Sequence, residues 1–159
     1  MTRRGAIATT GRLAGLVALA SLVGCGVTEP TGEVRTLNEA IERWAAVGPA
    51  SYTYTVERLC FCGEEARGPV RVTVAGGAVI DRVYVDGGAQ VRAQLADLFP
   101  DIPGLFAIIA DAIASNPFDM AVTYDPTTGV PVDVWIDYVQ NIADEELGFR
   151  STDLPAPTP

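Results

Sequence analysis

Two cysteines one residue apart, Cys60 and Cys62, sit in the stretch RLCFCGEEARG of a 159-residue chain that contains no histidine. Its 11 basic side chains are all arginine. Paired thiols can close a disulfide, exchange disulfides with a partner, or hold a soft metal ion. In an extended strand residues i and i+2 point to the same side with Cα atoms roughly 6.5 Å apart, at the upper edge of disulfide geometry. A Cys60–Cys62 bond therefore requires a local bend, and Gly63, next in the chain, supplies the backbone freedom for it. So short a loop gains little from chain entropy, which leaves stiffening of a strand end as the structural effect. Thiol exchange is the alternative: Glu64 and Glu65 disfavour a thiolate there, while Arg58 and Arg67 offset them. Structural zinc needs four ligands, so a chain without histidine leaves only copper(I), which accepts two thiolates, as a metal reading.

Carboxylates form the second constellation. Asp133 and Asp137 flank Trp135, and ADEEL adds Asp144, Glu145 and Glu146. Paired acids can hydrolyse glycosides or collect calcium, but no calcium-loop spacing with its glycine is present, and such charges ordinarily face solvent. Trp135 is the more telling residue. On an uncovered face, Trp135 with Asp133 and Asp137 would form a candidate binding surface; beneath helices or the tail it would be core. Ser-His, Cys-His and lysine-based sites cannot be built, and no phosphate loop or dinucleotide fingerprint occurs. No catalytic residue, resident metal or cofactor is assigned.

The chain opens with Arg3, Arg4 and Arg12, an apolar run from Leu13 to Gly24, and then Cys25. That run is far shorter than the roughly 20 residues of a bilayer-spanning helix and reads as a secretion signal. Leu22-Val23-Gly24-Cys25 resembles a bacterial lipobox, which implies cleavage after Gly24 and lipidation of Cys25. Each buried acyl methylene contributes about 0.8 kcal/mol, so two or three chains hold a domain on a membrane without a spanning helix. The expected location is the extracytoplasmic face of a cell membrane or outer membrane. Loss of the three signal arginines takes the net charge from −9 to −12. So acidic a domain is a poor ligand for nucleic acid, and the expected partners are the membrane, through the anchor, and an envelope protein or ligand.

Residues 25–35 read as a polar tether, 36–150 as a single domain, and 151–159, STDLPAPTP, as a disordered proline-rich tail. Thr36 and Glu39 have capping-box spacing ahead of a helix with Leu37, Ile41, Trp44 and Ala45 on one face, stopped at Gly48-Pro49. Alternation in SYTYTVERLCFC, then PVRVTV and AVIDRVYV around Gly76-Gly77, predicts three antiparallel strands. A helical segment follows, with Asp101 as a cap, Pro103 in the first turn and Leu105, Ile109, Ala112 and Ile113 as its stripe. A hairpin around DPTTG ends the pattern, with Phe118, Met120, Val122 and Tyr124 facing inward with Val132, Val134, Ile136 and Tyr138. The expectation is an α+β fold: an N-terminal helix and an antiparallel sheet of about five strands, with helices on one face.

Taken in order, Trp44, SYTYTVERLCFC, PVRVTVAGGAVI, Leu98-Phe99, VTYDPTTGVPVDVWIDY and NIADEELGF resemble the bacterial secreted and lipoprotein family of unknown function, domain of unknown function 6174. The resemblance spans about residues 36 to 153. It implies a fold and a location and carries no activity. The expected function is thus a lipid-anchored binding or structural module of the cell envelope, with thiol-redox or copper-handling work at Cys60 and Cys62 as the alternative.

Overall fold

The computed structural model describes residues 31–142 and 144–158. Helix α1 spans Gly32–Val47, capped by Thr31, whose hydroxyl accepts from Val34 N at 3.4 Å. The helix therefore starts four residues before the predicted capping box and takes in residues 32–35 of the predicted tether. Thr36 is not its cap: its hydroxyl bonds back to Gly32 O at 2.9 Å, inside the first turn. Thr31 suits the role because Glu33 then lies in the first turn, where a carboxylate favours the positive helix end. Leu37 and Ala40 are buried and Trp44 packs edge-on against Tyr52, whereas Ile41, expected in the stripe, is exposed. Gly48, extended ahead of Pro49, ends the helix, and its missing Cβ, which would fall 2.6 Å from the Trp44 ring, leaves that ring its place.

Six strands follow the expected antiparallel pattern with one addition. They are β1 (Tyr52–Cys60), β2 (Pro69–Ala75), β3 (Ala78–Tyr84), β4 (Asp119–Tyr124), β5 (Pro131–Asp137) and β6 (Leu147–Thr152). The sheet order is β3-β2-β1-β6-β5-β4. The predicted five strands omit β6, which lies in the middle and pairs antiparallel with both β1 and β5. Its sequence, LGFRST, hides the strand: only Leu147 and Phe149 mark the inner face, and the third inward position is the buried Ser151. The chain past residue 150 is consequently part of the domain, since Ser151 and Thr152 complete β6 and Thr158 N and Oγ1 bond Val47 O at 2.7 and 2.8 Å.

Helix α2, Ile102–Ser115, begins at Asp101, whose carboxylate accepts from Gly104 N at 2.9 Å, and ends at Asn116 in the left-handed region. Between β3 and α2 the chain makes a 3-10 helix, Ala93–Leu98. Register places Tyr54, Val56, Val72, Val134 and Phe149 on one face, where they join Leu37, Leu105 and Ile109 in a single core. Both α-helices thus share the core with that inner face. The turn at Asp125 closes the same face: Gly129, at φ +80, lies so near α1 that a Cβ would meet Ala40 O at 2.2 Å.

Three hydrogen bonds fasten the segment before α2 to the sheet. Tyr54 donates its buried hydroxyl to Pro100 O at 2.5 Å, Arg82 Nε donates to Phe99 O at 2.7 Å, and Ile102 N donates to Tyr52 Oη at 3.2 Å. Burial, reinforced by nearby Tyr52 and Asp101, holds the Tyr54 pKa well above the ordinary tyrosine value. Burial likewise pushes Tyr52 up to about 12, against the opposing bond from Ile102 N.

Tyr54→Phe leaves the Pro100 carbonyl buried without its donor, and the expected loss of stability is about 1–3 kcal/mol by urea denaturation. The alkaline limb has a definite sign. Unfolded tyrosines release protons near pH 10.0, whereas folded Tyr52 holds its proton to about 12, so the unfolded state binds fewer protons in that window. Stability is expected to be fully present below pH 10 and to fall as pH rises towards 12, with the fall smaller in Tyr52→Phe; parallel melting curves across that range test it.

Candidate functional site

Cys60 ends β1, and Cys62 lies beyond Phe61 at the start of the turn that leads to a 3-10 segment, Glu64–Ala66. Their sulfurs are bonded to one another, with Cα atoms 5.3 Å apart, nearer than a straight strand allows. The bend that brings them together throws Phe61 outward, where it is 84% exposed. Arg58 shares the inner face with Cys60 because the two are separated by one strand period. Its Nη1 donates to Cys60 Sγ at 2.7 Å, to Cys62 Sγ at 3.3 Å and to Ala66 O at 3.3 Å. Partial burial lowers its pKa from the ordinary arginine value, yet arginine stays charged at neutral pH. A cation against both sulfurs opposes a second cation such as copper(I) at the same place.

The loop after the cysteines is held in place from β3 and the 3-10 helix. Tyr84 donates its hydroxyl to Glu65 O, and Arg92 forms an ion pair with the Glu65 carboxylate. The Glu65 carboxylate is thereby paired with Arg92, where the sequence expectation set it against the sulfurs. Between this loop and the strand ends lies an open groove of about 750 Å³, lined by Arg58, Cys60, Glu64, Arg67, Tyr84 and Asp86 among others.

On the opposite, outer face, register sets Leu59 beside Gly148 and Gly148 beside Trp135. Cys60 is likewise in line with Leu147 and Ile136. The insertion of β6 thus places two sequence-distant candidates, the cysteine pair and Trp135, at one end of the sheet. Trp135 is 36% exposed, and with Leu59, Phe61 and Glu146 it lines a shallow depression of about 210 Å³. Among the described residues no helix covers this face. Gly148 allows the arrangement, since a Cβ there would stand 3.0 Å from Val134 O and 3.2 Å from Leu59 Cβ.

Asp133 shares that face but is engaged elsewhere: Arg150 bridges it to Glu57, at 3.8 and 3.5 Å. Exposed pairs of this kind contribute on the order of 0–1 kcal/mol, so they orient more than they stabilise. Asp137 lies opposite Asp119 at the end of the β4–β5 ladder, and one of its carboxylate oxygens is enclosed without a hydrogen-bond partner. The candidate trio is therefore only partly assembled. Trp135 keeps its place, whereas its near neighbours are Leu59 and Phe61, which sequence reasoning did not select. Only the pairing through β6 reveals them. Among the described residues no three cysteine, aspartate or glutamate side chains gather to hold a metal ion. Cys25 lies outside the described residues.

Gly148→Ala is expected to push β5 and Leu59 apart and to lower stability by about 1–3 kcal/mol, as overpacking does. In a Trp44→Phe background the remaining indole fluorescence, from Trp135, is expected to shift with it; an unchanged spectrum and melting curve would show that the face has room to spare.

No curated protein and no solved structure shows a significant match to the chain. A family model matches residues 36–155, a span that includes β6 and the whole sheet end carrying Cys60, Cys62, Phe61 and Trp135. The chain belongs to that family, described as a family of unknown function (DUF6174).

Proposed function

We propose that this protein is a lipid-anchored binding module of the cell envelope that captures a partner protein on the outer sheet face at Leu59, Phe61 and Trp135. The observation that carries this reading is the uncovered apolar cluster at one sheet end, with Phe61 84% and Trp135 36% exposed. Aromatic side chains presented together in this way are what interface hot spots are made from. The rim selects the partner's chemistry. Glu146 lines the depression, Glu145 precedes it, and the net charge without the signal arginines is −12, so the complementary surface carries arginine or lysine beside an apolar side chain. A cation over the Trp135 ring would add roughly 0.5–2 kcal/mol.

The lipobox-like Leu22-Val23-Gly24-Cys25 supports the anchor, and five residues, 26–30, then separate Cys25 from Thr31, the cap of α1, a short tether that holds the domain close to a membrane surface. Acidity keeps such a domain from lying on anionic headgroups, which leaves its apolar face available to a protein.

Phe61→Ala removes a side chain with few contacts to lose, so stability is expected to change by no more than about 0.5 kcal/mol. Trp135→Ala is expected to leave cooperative unfolding intact. Each is expected to weaken partner capture, Trp135→Ala by about 2 kcal/mol, roughly thirtyfold, as for a hot-spot residue. The measurement is photo-crosslinking in intact envelopes from a probe at residue 61, with a probe at exposed Glu42 on α1 as the control. A discrete adduct at 61, absent at 42 and lost with Trp135→Ala, supports the reading; equal labelling from both sites overturns it. Cys25→Ser is expected to release the protein from the membrane fraction, and mass spectrometry of the mature N-terminus checks the acyl group.

A further inference from the structure

We propose that Cys60–Cys62 is a thiol-exchange site for a protein dithiol, in which Cys62 is the sulfur attacked and Cys60 the thiolate that leaves onto Arg58. This goes beyond the binding role and rests on different residues. The asymmetry lies in the guanidinium: Nη1 stands 2.7 Å from Cys60 Sγ and 3.3 Å from Cys62 Sγ, and its hold on Ala66 O at 3.3 Å keeps it there. A positive donor gains little from a neutral disulfide and much from a thiolate, so its placement favours the reduced form and the step that makes it.

The charges facing the pair come from each neighbouring segment. Arg58 comes from β1 itself, Glu64 and Arg67 from the following loop, and Asp86 from the turn after β3, all lining one groove. Glu57, also on the groove, is drawn to Arg150, and Glu65 to Arg92. Glu146 stands on the outer side beside Cys60. Among the described residues Arg58 alone donates a hydrogen bond to the sulfurs. Both cysteines are half-buried, so the bond is reachable from solvent, and the open groove of about 750 Å³ adjoins Cys60 and Arg58, where the leaving thiolate forms.

The exchange balances as follows. One thiol of the partner loses its proton to solvent and attacks Cys62 Sγ; the Cys60–Cys62 bond breaks, a mixed disulfide forms, and Cys60 leaves as a thiolate beside Arg58. The partner's second thiol, also deprotonated, attacks its own mixed-disulfide sulfur and releases Cys62, which takes up one proton. Two electrons have passed from the partner, now a disulfide, to this chain, now a Cys62 thiol and a Cys60 thiolate, with one net proton released.

The test uses the full chain carrying Cys25→Ser, with glutathione as monothiol probe and dithiothreitol as dithiol. After brief exposure to glutathione, acid quenching and alkylation, peptide mass spectrometry is expected to find glutathione on Cys62 and the alkyl group on Cys60; the reverse placement overturns the assigned roles. Dithiothreitol is expected to open the bond while circular dichroism shows the fold intact; a bond opened only on unfolding overturns the proposal. In the reduced protein, Cys60 alkylation is expected to titrate below the ordinary thiol pKa of about 8.5, and Arg58→Met to slow it near neutral pH by about tenfold, one pKa unit. Arg58→Lys is expected to recover part of that rate. A purely structural arginine would shift the melting curve and leave the pH profile where it was, which also overturns the proposal. Should Arg58→Met not fold, the wild-type profile and the position of glutathione decide alone.

Discussion

The whole arrangement depends on one ladder: β6 inserts between β1 and β5 and hydrogen-bonds to both. Without it the chain would consist of a three-stranded meander and a separate hairpin, each with an unpaired edge and half of an apolar face. With it the two halves become one six-stranded sheet, and a continuous inner surface is available for α1 and α2 to cover. The pairing is long-range in sequence, since Cys60 meets Leu147 and Thr55 meets Thr152. A hydrogen bond from Thr55 Oγ1 to Asp153 at 2.8 Å closes the end of that ladder.

The two faces of this sheet then take different roles. On the inner face, Tyr52, Tyr54 and Arg82 pair with backbone groups of the segment entering α2, because a carbonyl or amide buried there needs a partner. The outer face has no helix against it among the described residues, and its central positions carry Thr53, Glu57, Arg150 and Asp133, as a solvated face should. Apolar side chains nonetheless collect at one end, where Leu59, Phe61 and Trp135 converge around Gly148. Beside them β1 runs past the start of β2, which begins only at Pro69, and the freed strand end curls into the disulfide loop. The exposed apolar cluster and the sulfur pair are adjacent because one strand overhangs another.

Much of this was legible. The α+β class, the position of α2 with its Asp101 cap and the hairpin around Asp125 all follow from local signals: period, caps and turn glycines. The misplaced features are those in which a local signal competed with a tertiary one. Thr36 and Glu39 have capping-box spacing, yet Thr31 caps α1, accepting from Val34 N with Glu33 in the first turn, and Thr36 Oγ1 donates to Gly32 O inside the helix. LGFRST has too few apolar residues to announce a strand, and the prolines after it suggest a tail. In the fold it needs few, since Leu147 and Phe149 suffice on the inner face and both edges are satisfied by backbone partners.

By itself the sequence determined what depends on composition and near neighbours: the acidity, the absence of histidine and lysine chemistry, the lipobox-like start, and the alternation that separates inward from outward residues in strands such as β1 and β5. Only the tertiary structure decided which of those outward residues meet. Leu59, Gly148 and Trp135 are separated by 89 and 13 positions, and nothing local links them. The same holds for the charge at the sulfurs. Sequence proximity weighs Arg58, Arg67, Glu64 and Glu65 alike, whereas the fold sets Arg58 against both sulfurs and turns Glu65 to Arg92. Coulomb energy follows distance through space, and distance through space is set by strand pairing.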